Sequence, residues 1–156
     1  SGKNSDKMLA HGTGIEGIVG TLKLDPSGDR ALEESRYPIT NIGMRNLLEL
    51  TIAPWNSELN IPSVKVRYFP NAKVGNVECR VFESSYDKKH KGVKFHMTRM
   101  YVDKKTAFPV RVEQFDFPAS AGGKAPILEQ YTYLNVKPNG GLKDIDFDVK
   151  NPAYEF

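Results

Sequence analysis

A chain of 156 residues with 39% hydrophobic and 26% charged residues has an ordinary globular composition and the length of one domain, enough to bury roughly two thirds of its unfolded surface without disulfides or metals. Its 22 basic and 19 acidic residues leave a net charge of +3, too even a balance to argue for nucleic acid or an anionic membrane surface as partner. The single cysteine rules out an intrachain disulfide and any C-x-x-C redox or zinc pattern, and no apolar run approaches the ~20 residues of a membrane span.

In chain order, Lys7 to His11 is a strand candidate, and Ile18 to Leu24 is a second, ending in Asp25-Pro26-Ser27-Gly28. That tetrad has the Pro and Gly positions of a type I turn. Gly12, Gly14 and Gly17 match the dinucleotide fingerprint G-x-G-x-x-G, which requires the third glycine to lie in a helix whose N-terminus holds the pyrophosphate. The residues that follow are β-branched and broken by Gly20, so a flexible hairpin loop is the reading adopted.

Pro38 to Trp55 holds the one persuasive helix, with its centre at 41–53. Thr40 or Asn41 is the expected cap, and Met44, Leu47, Leu48, Ile52 and Trp55 make one apolar stripe at helical period. Pro54 is expected to stop it, since a residue before proline is pushed out of the α region. Val64 to Phe69 alternates as a strand, Pro70-Asn71 reads as a turn, and Gly75-Asn76 reads as a tight hairpin into Val77 to Phe82. Cys79 alternates with Val77 and Val81, which makes a buried, inert thiol the expectation. Ser84 to Gly92 is a polar loop, and its Lys88-Lys89-His90-Lys91 run, with Lys94, reads as a solvated loop rather than an anion site.

From Val93 to Val136 three runs rich in β-branched and aromatic residues are divided by D-K-K-T-A-F-P and a Pro/Gly loop. This is an antiparallel meander. Lys137 to Gly141 turns the chain toward Leu142 to Phe147, a short helical turn, and a coil-like tail with Tyr154 and Phe156 follows. The fold class expected is α+β: a strongly curved, half-barrel-like antiparallel sheet covered by one main helix, with 1–156 forming a single domain.

No G-x-S-x-G elbow, H-E-x-x-H, P-loop or calcium-loop pattern is present. His11, His90 and His96 lack short-range ligand spacing, so no metal or cofactor is expected. Glu113, Asp116 and Glu129 lie on neighbouring expected strands, as do Arg111, Arg99 and Lys94. Cross-strand ion pairs on a wet sheet face are therefore favoured over a carboxylate acid/base pair, and no catalytic residue is assigned. The meander's aromatic and thioether side chains, with Trp55, are the ligand-binding candidates: Trp55, Phe95, Met97, Tyr101, Phe115, Tyr131 and Tyr133. On a curled sheet they would line an apolar trough beneath the helix, fit for an acyl chain or a peptide. The competing reading is that they form the helix–sheet core.

Several stretches together resemble an uncharacterised bacterial family, domain of unknown function fifteen seventy-one. They are L-A-H at Leu9 to His11, L-D-P-S-G at Leu24 to Gly28, S-R-Y-P-I-T at Ser35 to Thr40, N-L-L at Asn46 to Leu48, the run Tyr101 to Pro118, E-Q-Y-T-Y at Glu129 to Tyr133, and D-F-D with N-P-A-Y between Asp146 and Tyr154. The resemblance implies export into a Gram-negative-type envelope and, more distantly, a fold similar to LolA-like periplasmic lipoprotein carriers. It brings no activity and no catalytic residues. Such chains have a further N-terminal helix and early strands, so the first segment here is expected to leave a sheet edge exposed or covered by a partner. The Ser-Gly-Lys start points to a processed or recombinant form without its targeting segment. The resulting expectation is a non-enzymatic periplasmic or envelope domain that binds a lipid, lipoprotein or other apolar ligand. The alternative is a structural or protein-interaction module of the envelope with a filled core.

Overall fold

The computed structural model describes residues 3–11, 20–33 and 35–154, and the chain divides into two compact units, residues 1–42 with 137–156 and residues 43–136. In the first unit, strands β1 (Met8–His11) and β2 (Thr21–Leu24) pair antiparallel as a two-stranded ribbon. β1 therefore has a paired neighbour on one side only among the described residues. The glycine fingerprint at Gly12, Gly14 and Gly17 lies outside the described residues. The turn after β2 forms as expected, with Gly28 N–H donating to Asp25 O at 3.0 Å and Ser27 N–H to Asp25 Oδ1 at 3.0 Å. A four-residue helix α1 (Asp29–Leu32) follows, and the short turn expected near Leu142 is a 3-10 turn at Asp144–Phe147. The tail is a second 3-10 turn at Pro152–Tyr154 rather than coil, and the Tyr154 hydroxyl donates to Asp146 O.

The second unit carries helix α2 (Met44–Glu58) and strands β3 (Lys65–Val74), β4 (Val77–Ser85), β5 (Met97–Asp103), β6 (Pro109–Phe115) and β7 (Ile127–Thr132). The strands form one antiparallel sheet in the order β3-β4-β5-β6-β7, so the meander is present and the architecture is α+β. Turn chemistry explains the order. Gly75, at φ 57°, is the first central residue of the two-residue β3–β4 loop, the position that a type II′ turn reserves for glycine. Between β5 and β6, Asp103 ties the loop to itself: its carboxylate accepts from Lys105 N–H at 2.8 Å and from Thr106 Oγ1 at 2.7 Å.

The helix differs from expectation at both ends. Residues Ile39–Asn41, where the cap was expected, form a separate 3-10 turn, and α2 begins after Gly43. Gly43 sits at φ 118°, ψ 152°, and no atom comes within 4 Å of where a Cβ would stand. The requirement for glycine there is purely a backbone one. Gly43→Ala is expected to cost about 1–3 kcal/mol, read from the denaturant midpoint, whereas an unchanged midpoint would show that the turn relaxes freely. At the other end the helix passes through Pro54 to Glu58. Proline there removes one helical hydrogen bond, but tertiary anchors beyond it hold the last turn: Trp55 packs in the core and the Glu58 carboxylate accepts from Tyr86.

α2 lies on the sheet through Leu47, Leu48 and Trp55, against Met100, Val102, Val112 and Tyr133. The buried stripe is centred on Thr51 rather than Ile52: Thr51 is 3% exposed and Ile52 41%. Thr51 can be buried because its hydroxyl donates back to Leu47 O at 2.7 Å. The second correction is at Pro70-Asn71, which is not a turn. β3 runs through it with a register shift between Phe69 and Ala72, a bulge of the kind that lets an outer strand carry proline.

Strand alternation gives the sheet two unlike faces. The helix side carries Phe82, Met100, Val112 and Tyr131. On the other side, cross-strand partners set Arg67 opposite Glu83, Glu83 opposite Arg99 and Arg99 opposite Glu113, a row of alternating charge over four neighbouring strands. It is not the wet face expected, for Glu83 and Glu113 are buried. Beside the row, Val74, Cys79 and Val110 form a second apolar cluster with Tyr101 packed on it. The expected buried Cys79 is found there, and burial pushes its thiol above its usual pKa, the setting of an inert cysteine.

Candidate functional site

The extension of α2 past Pro54 creates the site. Its last turn carries Trp55 and leads to Leu59, the loop that follows brings Val64, and the strands contribute Val66 of β3 and Phe82 of β4. Tyr86, directly after β4, closes one wall. Together they enclose an apolar groove of about 90 Å³. It lies within the second unit and on the helix side of the sheet.

Behind this apolar surface lie polar groups of the wall residues Trp55 and Tyr86 and of Glu58, the hydrogen-bond partner of Tyr86. The Trp55 indole Nε1 is buried with no hydrogen-bond partner, and a buried donor left unpaired costs free energy until an acceptor reaches it. Tyr86 is 1% exposed, and its hydroxyl donates to Glu58 Oε2 at 2.8 Å. Burial pushes the Glu58 carboxyl above its usual pKa, against the opposing pull of the Tyr86 hydrogen bond, and burial together with the nearby carboxylate holds the Tyr86 phenol well above its own.

The sign of the Glu58 contribution follows. A carboxyl raised in the folded state binds its proton more tightly there than in the unfolded chain. Its stabilisation is complete below the ordinary glutamate range and is lost as pH rises through the folded value. Tyr86→Phe removes the one contact that lowers Glu58, so Glu58 is expected to titrate at still higher pH in that variant. Carbon-detected NMR of the glutamate carboxyls reads this directly, and a downward move would refute the assignment.

Close by, Ser63 Oγ and His90 Nε2 share a hydrogen bond, and the His90 ring meets Tyr86 edge-on at 6.2 Å between centroids. A nucleophile–base pair needs a third group to orient the imidazole, and among the described residues no carboxylate bonds the other ring nitrogen of His90. His96 packs on Phe117 at 5.2 Å, and His11 pairs with Thr21 Oγ1 at 3.2 Å. Among the described residues no group of His, Cys, Asp and Glu is arranged to hold a metal ion, and no helix is long and apolar enough to cross a membrane.

The sequence candidates are divided by the strand alternation. Trp55 lines the groove. Tyr133 packs into the helix–sheet core, and Tyr131 lies opposite Val112 on the same side. Tyr101 projects from the other face, where its hydroxyl donates to Glu113 Oε2 at 3.0 Å, and Met97 and Phe115, opposite each other in register, share that face. Phe95 precedes β5, with the Lys94 ammonium 4.9 Å from its ring centre. The seven thus do not line one trough. The carboxylates are separated too: Glu113 and Glu129 sit on strand positions of opposite facing, and Asp116 lies beyond the end of β6.

Leu59, Val64, Val66, Phe82 and Tyr86 were not among the sequence candidates. A signal for Tyr86 existed, because Phe82, Ser84 and Tyr86 continue the period of two past the point where a loop was expected. For Leu59 the signal was masked by Pro54.

A family model described as a protein of unknown function, DUF1571, matches residues 1–156. No curated protein and no solved structure matches the chain.

Proposed function

This chain belongs to the DUF1571 family, and from that premise we propose that it is a non-enzymatic domain of the cell envelope that seats an apolar group in the groove between the end of α2 and strands β3 and β4. The observation that carries this reading is the groove itself. The surface it presents is apolar, built from Trp55, Leu59, Val64, Val66, Phe82 and Tyr86. A pocket built this way takes hydrocarbon.

The size limits the ligand. About 90 Å³ is well below the ~300–1,000 Å³ of pockets that enclose a drug-sized molecule. The groove holds the end of an acyl chain or one apolar side chain, not a whole lipid. The envelope location rests on the motif resemblance described above.

Trp55 is the chain's single tryptophan, so its fluorescence reports the groove without labelling. Bromine-labelled dodecanoate is expected to quench it saturably, and Leu59→Asp, at an exposed position, is expected to abolish the quenching. Quenching that rises linearly with ligand in both proteins would overturn the reading. Fractionation of cells expressing the native gene tests the location, with recovery in the cytoplasm as the contrary result. A second reading, an interaction module, is favoured by the exposed apolar residues Val66, Tyr68 and Phe69 of β3.

A further inference from the structure

β3 is the outermost strand of its sheet. β4 lies on one side, and among the described residues no strand lies on the other. An outer strand presents a row of unpaired backbone N–H and C=O groups, which proteins commonly blunt with proline, bulges or charge. Pro70 and the bulge between Phe69 and Ala72 blunt the second half of β3. The first half, from Lys65 to Phe69, is regular and exposed.

The alternation of that half gives it two chemically different sides. Val66 and Tyr68 share the side of Phe82 and the groove, and Tyr68 packs on Phe82 at 5.4 Å between ring centres. Lys65 and Arg67 occupy the other side. They meet Asp87 at 2.7 Å and Glu83 at 3.0 Å on the β4 flank, yet their side chains remain 56% and 59% exposed.

We propose that this edge receives an extended peptide segment of another protein as an added strand, one that alternates apolar and acidic residues and seats one apolar side chain in the groove beside Trp55, Leu59 and Val64. The proposal rests on the groove reading above and names its ligand. An added strand matches all three features at once. Its backbone pairs the open edge, its apolar residues continue the Val66–Tyr68 side, and its acidic residues face Lys65 and Arg67. The groove, at about 90 Å³, has the scale of a side chain. An acyl tail meets only one of the three. A second copy of the chain is disfavoured by charge, because antiparallel pairing of two β3 edges sets Lys65 and Arg67 against their own like, and like charges directly opposite on neighbouring strands repel.

The test uses the full chain and the peptide Ac-Glu-Val-Glu-Leu-Glu-Val-Glu-NH2, with Trp55 fluorescence and amide hydrogen exchange as readouts. Saturable binding is expected, with slowed exchange at residues 65–69. Binding is expected to weaken by about tenfold in Lys65→Glu, a substitution at an exposed position whose fold is checked by circular dichroism. It is expected to vanish when alternate peptide amides are N-methylated, which removes the donors a strand needs. Binding that survives N-methylation overturns the strand mode. If dodecanoate binds and the peptide does not, the groove reading stands and this proposal fails; if neither binds, both fail. A concentration-dependent dimer dispersed by Val66→Lys would assign the edge to a second copy and overturn the proposal.

Discussion

Arg99→Met is expected to lose about 3–5 kcal/mol of stability, more than Glu83→Leu at the centre of the same charge row. The Glu83 side chain is 0% exposed, between Arg67 and Arg99. Arg99 Nε donates a hydrogen bond to Oε2, whereas Arg67 Nε lies 3.0 Å from Oε1 without the alignment of one. Removing Arg99 leaves a fully buried carboxylate with one poorly aligned partner, and an uncompensated buried charge is the costly outcome. Removing the carboxylate is different. Leucine fills the space, and the two guanidinium groups, whose side chains are 59% and 35% exposed, reach water. Glu83→Leu should therefore cost less than about 1.5 kcal/mol. In that background Arg99→Met should become nearly neutral, so a double-mutant cycle followed by urea unfolding should give a coupling about as large as the single loss, about 3–5 kcal/mol. A Glu83→Leu loss equal to that of Arg99→Met would show that the row contributes Coulombic stability rather than a penalty that must be cancelled.

The charge row also specifies register. A one-residue slip of β4 against β5 turns Glu83 to the helix side of the sheet, where Phe82, Met100 and Val112 sit. A mispaired sheet would then bury carboxylates in hydrocarbon with no arginine in reach. We expect Arg99→Met to broaden the unfolding transition as well as shift it, since the device that discriminates against slipped pairings is weakened.

Leu47→Ala is expected to cost about 2–5 kcal/mol, the range for truncating a leucine packed in a core. Alanine is the best helix former, so none of this loss comes from propensity. It comes from the contacts of Leu47 with Met100 and Val112 and from the space left between α2 and the sheet. Leu50, on the same helix and 48% exposed, is the control, and Leu50→Ala should stay within about 0.5 kcal/mol. Because α2 also carries Trp55 and positions Leu59 at the groove, Leu47→Ala should red-shift the tryptophan emission before global unfolding. Equal effects of the two substitutions would mean that α2 is not held through this face.

Much of the fold was legible in local pattern. Three β-rich runs with turn residues between them identify the meander, the alternation around Cys79 places the thiol inside, and the stripe from Leu47 to Trp55 gives one helix with an apolar face. Two errors came from treating proline as a stop. Pro54 is carried inside α2 because Trp55 and Glu58 are anchored beyond it, and Pro70 is carried inside β3 because an outer strand accommodates a bulge. At Pro54 tertiary contacts outweigh a local preference of a few kcal/mol, and at Pro70 the open side of the strand leaves room for a residue that cannot donate to the ladder.

The candidate site was less legible, and the reason is geometric. Alternation states which residues of one strand share a side, but not which side α2 covers, so Tyr101 and Phe115 look like Tyr133 in sequence and lie on the opposite side of the sheet in the fold. The groove joins the end of a helix, a loop, an outer strand and Tyr86, which lie up to 31 positions apart between Trp55 and Tyr86. What the sequence by itself determined is the local period of each element and the turns that connect them, since these depend on residues within a few positions of one another. Only the tertiary structure decided which sheet face is covered, how the arginines and glutamates align in register across four strands, and that Trp55 borders an open space with its indole N–H unpaired, because each of these depends on groups that the chain brings together from a distance.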